Sequence, residues 1–141
     1  MERLLAEARE KDLISTGTAE TYYLNGINAS FEFYGIAPDA AYFTQSEVAY
    51  TGTNDGLLEK IGNQKWLSLF FQGLEAWFDW KRTGYPVLEP AVDNQNNDMI
   101  PVRFIKHINE QYLNAEQRAA AVARQGADDL NSRVWWDVNP N

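Results

Sequence analysis

Residues 65–86, KWLSLFFQGLEAWFDWKRTGYP, constrain the fold of this chain more than any other stretch, because nearly all of their aromatic mass falls on one side of a predicted helix. At about 100° per residue, Trp66, Leu67, Leu69, Phe70, Phe71, Leu74, Trp77, Phe78 and Trp80 cover well over half the circumference. Ser68, Gln72, Glu75, Asp79 and Arg82 share the rest. A helix so apolar is predicted to pack on two or three sides, with its aromatics in the core and Gly73 as a point of close approach. It should start around residues 53–55 and stop where Gly84 can turn left-handed and Pro86 forbids another turn, with a bend near Gly62.

The rest of the chain supplies elements for it to pack against. Leu4, Leu5 and Ala8 share one face of an opening helix that breaks near Gly17, and Thr18 is placed to cap the next. There Tyr23, Ile27, Phe31 and Tyr34 recur at helical spacing, so a two-helix hairpin is predicted. Pro38 ends it. Residues 37–55 read as loop, with at most a short helix where Thr44 and Glu47 have capping-box spacing. Beyond Pro86 come an Asn/Asp-rich loop and then Ile100, Val102 and Phe104, which alternate as a strand does, with Pro101 confining it to an edge. Asn114, three residues before Gln117, is placed to cap an alanine-rich helix that ends at Gly126. The expected class is mainly α: an irregular helical domain with long loops and at most a short strand or hairpin. At 141 residues one domain is expected.

Composition excludes several functions. A net charge of −8 argues against nucleic acid or an anionic membrane surface, which clustered Lys and Arg would hold. No apolar run approaches the ~20 residues that cross a bilayer. With no cysteine, this chain has no disulfide, thiolate nucleophile, thiolate metal site or lipid-bearing Cys. Residues 2–11 are charged and amphipathic rather than a secretion signal. His107 is the only histidine, so no His pair binds zinc and no triad can be drawn, and it is read as a surface or packing residue.

Glu75 and Asp79 invite comparison with a glycosidase pair, since sugars are hydrolysed between two carboxyls and stack on tryptophan. Four residues apart on one convex face, they cannot flank a scissile bond. A solvated face with an Asp79–Arg82 surface ion pair is expected instead. Lys81, the one cation within the apolar arc, is expected to snorkel past the aromatics rather than lie against Trp77. Asp93, Gln95 and Asn97 have the alternate spacing of a calcium loop, but Asp98 stands where the turn glycine belongs and Phe104 where the bidentate Glu belongs. That leaves an ordinary solvated loop. The glycosylation pattern at residues 28–30 falls inside a predicted helix. No catalytic residue, metal ligand or cofactor follows from these patterns.

LLAEAREKDLISTGTAETYYLNGINASFEFYG, IGNQKWLSLFFQGLEAWFDWKRTGYPVLEP, IPVRFI, NEQYLN and RVWWDV, in that order, resemble the C-terminal part of the SusD/RagB family. QKWLSLFFQGLEAWFDWKRTGYP is the most specific of these stretches, and the resemblance extends over nearly the whole chain. Members of that family are helical outer-membrane lipoproteins of Bacteroidota that capture glycans or other nutrients at the cell surface, form a lid over a TonB-dependent transporter, and are not enzymes. The resemblance therefore implies a non-catalytic binding component, with an oligosaccharide or other nutrient as ligand and a SusC-like TonB-dependent transporter as partner. It implies location at the outer membrane, with membrane attachment only through the lipid anchor of a full-length parent.

Family members are typically several times longer and carry a lipidated N-terminal cysteine and early tetratricopeptide-like helices that this sequence lacks. The chain is therefore read as a C-terminal fragment, expected to expose apolar surface or to self-associate. Ligand sites in the family draw on aromatics of variable loops, outside the stretches quoted. The carbohydrate-binding candidates here are accordingly the loop residues Tyr42, Phe43 and Tyr50, and secondarily Trp135 and Trp136, for which core packing is expected. A freestanding helical interaction domain without glycan binding is the alternative. A small glycoside hydrolase relying on Glu75 and Asp79 is a third reading.

Overall fold

A computed structural model describes residues 1–138. Six α-helices and one 3-10 turn make up its regular structure, and no strand occurs among the described residues, so the mainly α expectation with long loops holds. The residues fall into two compact units, Met1–Pro86 and a second that begins at Val87.

In the first unit, α1 (Glu2–Glu10) and α2 (Ala19–Phe33) form the expected hairpin. Thr18 caps α2, its Oγ1 accepting from the Thr21 amide at 3.1 Å. Gly26 lets the helices meet, because a Cβ there would lie 2.6 Å from Arg3 Cγ. Tyr23 and Ile27 of the predicted stripe are buried and Phe31 packs against them, but Tyr34 is exposed. On α1 the buried residues are Ala6 and Glu7 rather than Leu4, Leu5 and Ala8, which corrects the predicted face. Ala6 is small enough to enter the cluster of Tyr23, Ile27, Val48 and Ile61, and Glu7 is drawn inward by cations described below. Tyr23 Oη donates to the Val48 carbonyl at 2.8 Å, which ties the long loop to this core. The short helix expected near Thr44 is a single 3-10 turn, Tyr42–Thr44, and Thr44 Oγ1 donates to the Ala41 carbonyl instead of capping.

The long aromatic helix is two helices, α3 (Asn54–Ser68) and α4 (Gly73–Thr83). The break lies at residues 69–72, not near Gly62, and centres on Phe71 with φ +66°. Tyr34 Oη takes up carbonyls that the break leaves free, donating to Phe70 O at 3.1 Å and sitting 3.4 Å from Ser68 O. Gly62 remains helical and serves close packing, since a Cβ on it would meet Tyr85 Cβ at 2.6 Å. Gly84 ends α4 in the left-handed conformation, φ +79°, as expected.

In the second unit, α5 (Ile108–Leu113) and α6 (Ala115–Gln125) follow an irregular run of turns and bends. Ile100–Phe104 does not form the predicted strand. Pro101 has no amide to donate, and Val102 N bonds the Leu130 carbonyl at 2.9 Å without a ladder forming. The Arg103 side chain is buried and reaches Asp128, 3.4 Å away, whose carboxylate also takes Arg118 at 2.7 Å and the Lys106 amide at 2.9 Å. The Lys106 amide leads the interactions that hold Asp128 below the ordinary carboxylate range. His107 caps α5, its Nδ1 accepting from the Asn109 amide. Asn114 stands at the start of α6, but its side chain turns back to Glu110 instead of capping.

Candidate functional site

Tyr42 and Phe43 share the 3-10 turn, with rings edge-on at 5.8 Å, and Tyr42 also meets Phe31 edge-on at 5.2 Å. Tyr42 Oη donates to Gln64 Oε1 of α3 at 2.9 Å. Tyr50 sits apart from that pair, tilted against Tyr23 at 5.2 Å, with its hydroxyl donating to Glu10 Oε2 at 2.6 Å. Burial, and then the Glu10 carboxylate, push the Tyr50 phenol above its ordinary range, so it stays a neutral donor. All three rings lie half-buried on the core.

Beside Tyr42 lies a pocket of about 140 Å³ between α2 and α3. Ile27, Phe31, Ile36 and Leu67 give it an apolar lining, and Ser30, Tyr34, Tyr42 and Gln64 give it hydroxyl and amide groups. Flat aromatic surface beside a few fixed hydrogen-bonding groups is the chemistry that holds a small ligand with an apolar face and polar rim. Sequence reasoning found Tyr42 but not Gln64 or Ser30. The helical stripe that carries Tyr34 was the available signal, because Ser30 lies one helical turn before it.

A second cleft, about 390 Å³, is bounded by α1, the end of α3 and α4. Asp79 Oδ1 accepts from Lys65 Nζ at 2.5 Å and from Arg82 Nη2 at 2.8 Å. Arg82 also grips Glu7 at 2.6 and 2.7 Å, and Lys11 reaches Glu7 at 2.8 Å. Burial opposes ionisation of Glu7, but these hydrogen bonds and charges outweigh it and hold the carboxyl at about 2. The Glu7 and Asp79 carboxylates likewise raise the Arg82 guanidinium above its ordinary value. The predicted Asp79–Arg82 pair is present, yet Asp79 is no solvated surface residue. Its side chain is 11% exposed because two cations and the turn of α4 enclose it. Glu75 remains exposed, as expected.

The aromatics of α3 and α4 divide. Trp80 is buried, whereas Trp66, Phe70, Leu74 and Phe78 are exposed and Phe71 is 90% exposed, so the core assignment holds for only part of the arc. The break after Ser68 divides the predicted arc between two helices, so it is not one continuous helical face. Lys81 does not snorkel. It is buried, with Nζ 4.0 Å from the Trp77 ring centroid and 5.2 Å from that of Phe78. In the second unit Trp135 is 89% exposed, which corrects its expected place in a core, and Trp136 is partly exposed. The Asn/Asp loop closes on itself: Asn94 Oδ1 accepts from the Asn96 and Asp98 amides, and the Asn96 and Asn131 amide groups pair reciprocally.

Residues 1–105 match the SusD-like family described as starch-binding and associating with the outer membrane. The chain belongs to the SusD-like family. Among solved SusD-like structures, a chitin-binding homologue from Flavobacterium johnsoniae is 31% identical, with a TM-score of 0.84 over 98% of this chain and 35% of its own. A protein described as chitin-binding is 35% identical, with a TM-score of 0.80 over 98% of this chain and 32% of its own. A homologue from Bacteroides ovatus is 28% identical, with a TM-score of 0.87 over 98% of this chain and 36% of its own. This SusD-like chain thus spans about a third of the length of the solved structures it matches. No curated protein matches it.

Proposed function

We propose that this chain is the C-terminal scaffold portion of a non-catalytic glycan-binding protein of a SusC/SusD-like uptake system at the outer membrane, working with a TonB-dependent transporter. One observation carries the reading: the pocket beside Tyr42 joins aromatic faces to hydroxyl and amide groups in a chain that shares 31% and 35% identity with two chitin-binding proteins. Tyr42 is the ligand-facing member of the loop set, with Phe43 and Tyr50 holding the loop against the core. The exposed aromatics of α3 and α4 support the fragment reading, as surfaces that a larger protein would cover.

The same exposed face favours a second reading, a helical protein-interaction domain without glycan binding. Titration calorimetry of the folded chain with soluble chito- and malto-oligosaccharides separates the two. Saturable binding weakened by Tyr42→Ala supports the glycan reading. Absence of heat with every sugar, from a chain shown to be folded, favours the interaction domain.

A further inference from the structure

In the pocket beside Tyr42, two of the four polar side chains have already spent their hydrogens. The Tyr42 hydroxyl donates to Gln64 Oε1 at 2.9 Å, and the Tyr34 hydroxyl donates to the Phe70 carbonyl at 3.1 Å. What is left is the amide nitrogen of Gln64 and the hydroxyl of Ser30, and neither has a partner among the described residues. Gln64 is only 8% exposed, yet its Nε2 is not sealed from solvent, so the pocket is where it can meet a partner. An amide nitrogen only donates, and Tyr42 holds the oxygen end, so this site calls for an acceptor. The walls call for something else. Ile27, Phe31, Ile36 and Leu67 offer no partner to a hydroxyl, and burying one there unpaired is costly. At about 140 Å³ the pocket is close to the ~150 Å³ cavity that takes a benzene-sized guest, which is too little for a whole pyranose with its hydroxyls.

We propose that this pocket takes the acetyl group of an acetylated glycan, with the methyl among Ile27, Phe31 and Leu67 and the carbonyl oxygen accepting from Gln64 Nε2. The inference rests on the glycan-binding reading above and gives its pocket a class of ligand. A methyl beside a carbonyl is the small group that satisfies both demands at once, and the sugar ring stays at the mouth beside Tyr42. Ser30 serves either carrier of the acetyl: its hydroxyl accepts from the N–H of an N-acetyl group or donates to the ester oxygen of an O-acetyl group. Gln64 is then the residue that sets specificity. A sugar with a hydroxyl in place of the acetyl leaves the Gln64 donor unpaired and the apolar walls unfilled, which is how a buried polar group rejects an analogue that lacks its partner.

Calorimetry of the whole chain with two matched pairs of neutral sugars tests the proposal. Chitotetraose and cellotetraose differ only in the 2-acetamido group, and O-acetylated xylotetraose differs from its deacetylated form only in the ester. The acetylated member should bind about tenfold tighter or better in at least one pair, and the pair that responds names the carrier. Gln64→Glu keeps an acceptor for the Tyr42 hydroxyl but replaces the donor with an oxygen, so it should bring the two members of that pair to the same affinity. Leu67→Trp, at a half-exposed position, should do the same by filling the pocket, and it carries the test should Gln64→Glu not fold by circular dichroism. If Gln64 only props Tyr42, its variant weakens both members alike and keeps their ratio, which overturns the inference. So does a preference that survives in Leu67→Trp. Equal affinity within both pairs, or binding of a malto-oligosaccharide alone, overturns it and leaves the glycan reading standing, whereas no binding of any of these sugars by the folded chain defeats both.

Discussion

Arg82 of α4 grips Glu7 of α1 with two hydrogen bonds, at 2.6 and 2.7 Å, joining helices whose paired residues lie 75 positions apart. Glu7 is nearly enclosed, so this bidentate pair fixes the angle at which α4 meets the hairpin. Its carboxyl is held at about 2, below its unfolded value, so the pair contributes stability that is complete above the unfolded pKa and is lost as pH falls through the folded one. The contribution should be about 2 kcal/mol once screening at half-exposed Arg82 is allowed for. Urea unfolding should show Glu7→Gln destabilised by that amount at neutral pH, with the gap from wild type closing between about pH 4.5 and 2. A gap that persists undiminished at pH 2 would mean that packing, not charge, is what Glu7 supplies.

Two glycines of α3 should respond in opposite senses to alanine. At Gly62 the new methyl meets Tyr85 Cβ at 2.6 Å, beside the backbone and with no flexible end to yield. Gly62→Ala should therefore cost about 1–3 kcal/mol despite alanine's better helix propensity. Gly56, in the first turn of the same helix, faces only Thr53 Oγ1 at 3.6 Å, and Gly56→Ala should stabilise by roughly 0.5–1 kcal/mol. Thermal melts of the two variants give the comparison. Similar shifts for both would show that Tyr85 moves aside.

Local chemistry was legible in the sequence wherever one residue decides the outcome. Thr18 caps α2, Gly84 closes α4, and Tyr23 with Ile27 faces the core, because a hydroxyl, a missing Cβ and a helical period each act within a turn. What escaped depends on partners remote in sequence. The break at residues 69–72 is braced by the Tyr34 hydroxyl, 36 positions before Phe70, a partner that KWLSLFFQGLEAW does not contain. Asp79 looked solvated because its helical face is polar, yet Lys65 and Arg82 enclose it. For the candidate pocket, Tyr42 was visible as a loop aromatic, whereas Gln64 looked like one polar residue of a helix until the fold set it against the Tyr42 hydroxyl.

The Tyr23 hydroxyl should be worth more than its single bond suggests. It is buried and donates to Val48 O at 2.8 Å, where the loop reaches the core. Tyr23→Phe leaves that carbonyl without the donor in an apolar setting, at an expected cost of about 1–2 kcal/mol. Native-state hydrogen exchange should show the loss concentrated in the loop around Val48. Uniform loss of protection along α2 instead would mark the hydroxyl as part of the global core.

Phe71 carries two penalties at once. Its φ of +66° is a conformation that a bulky side chain resists, and its ring is 90% exposed, 4.3 Å from that of Phe70. Such strain persists only where surroundings enforce it, here the bonds that hold the Phe70 and Ser68 carbonyls to Tyr34. Phe71→Gly should relieve about 1 kcal/mol of backbone strain, and Phe70→Ser beside it should not, which separates conformation from ring exposure. Both changes should lower the binding of a hydrophobic dye and any self-association seen by sedimentation. A Phe71→Gly chain that is less stable than wild type would show the ring pinned against a neighbour, and would remove Phe71 from the exposed face.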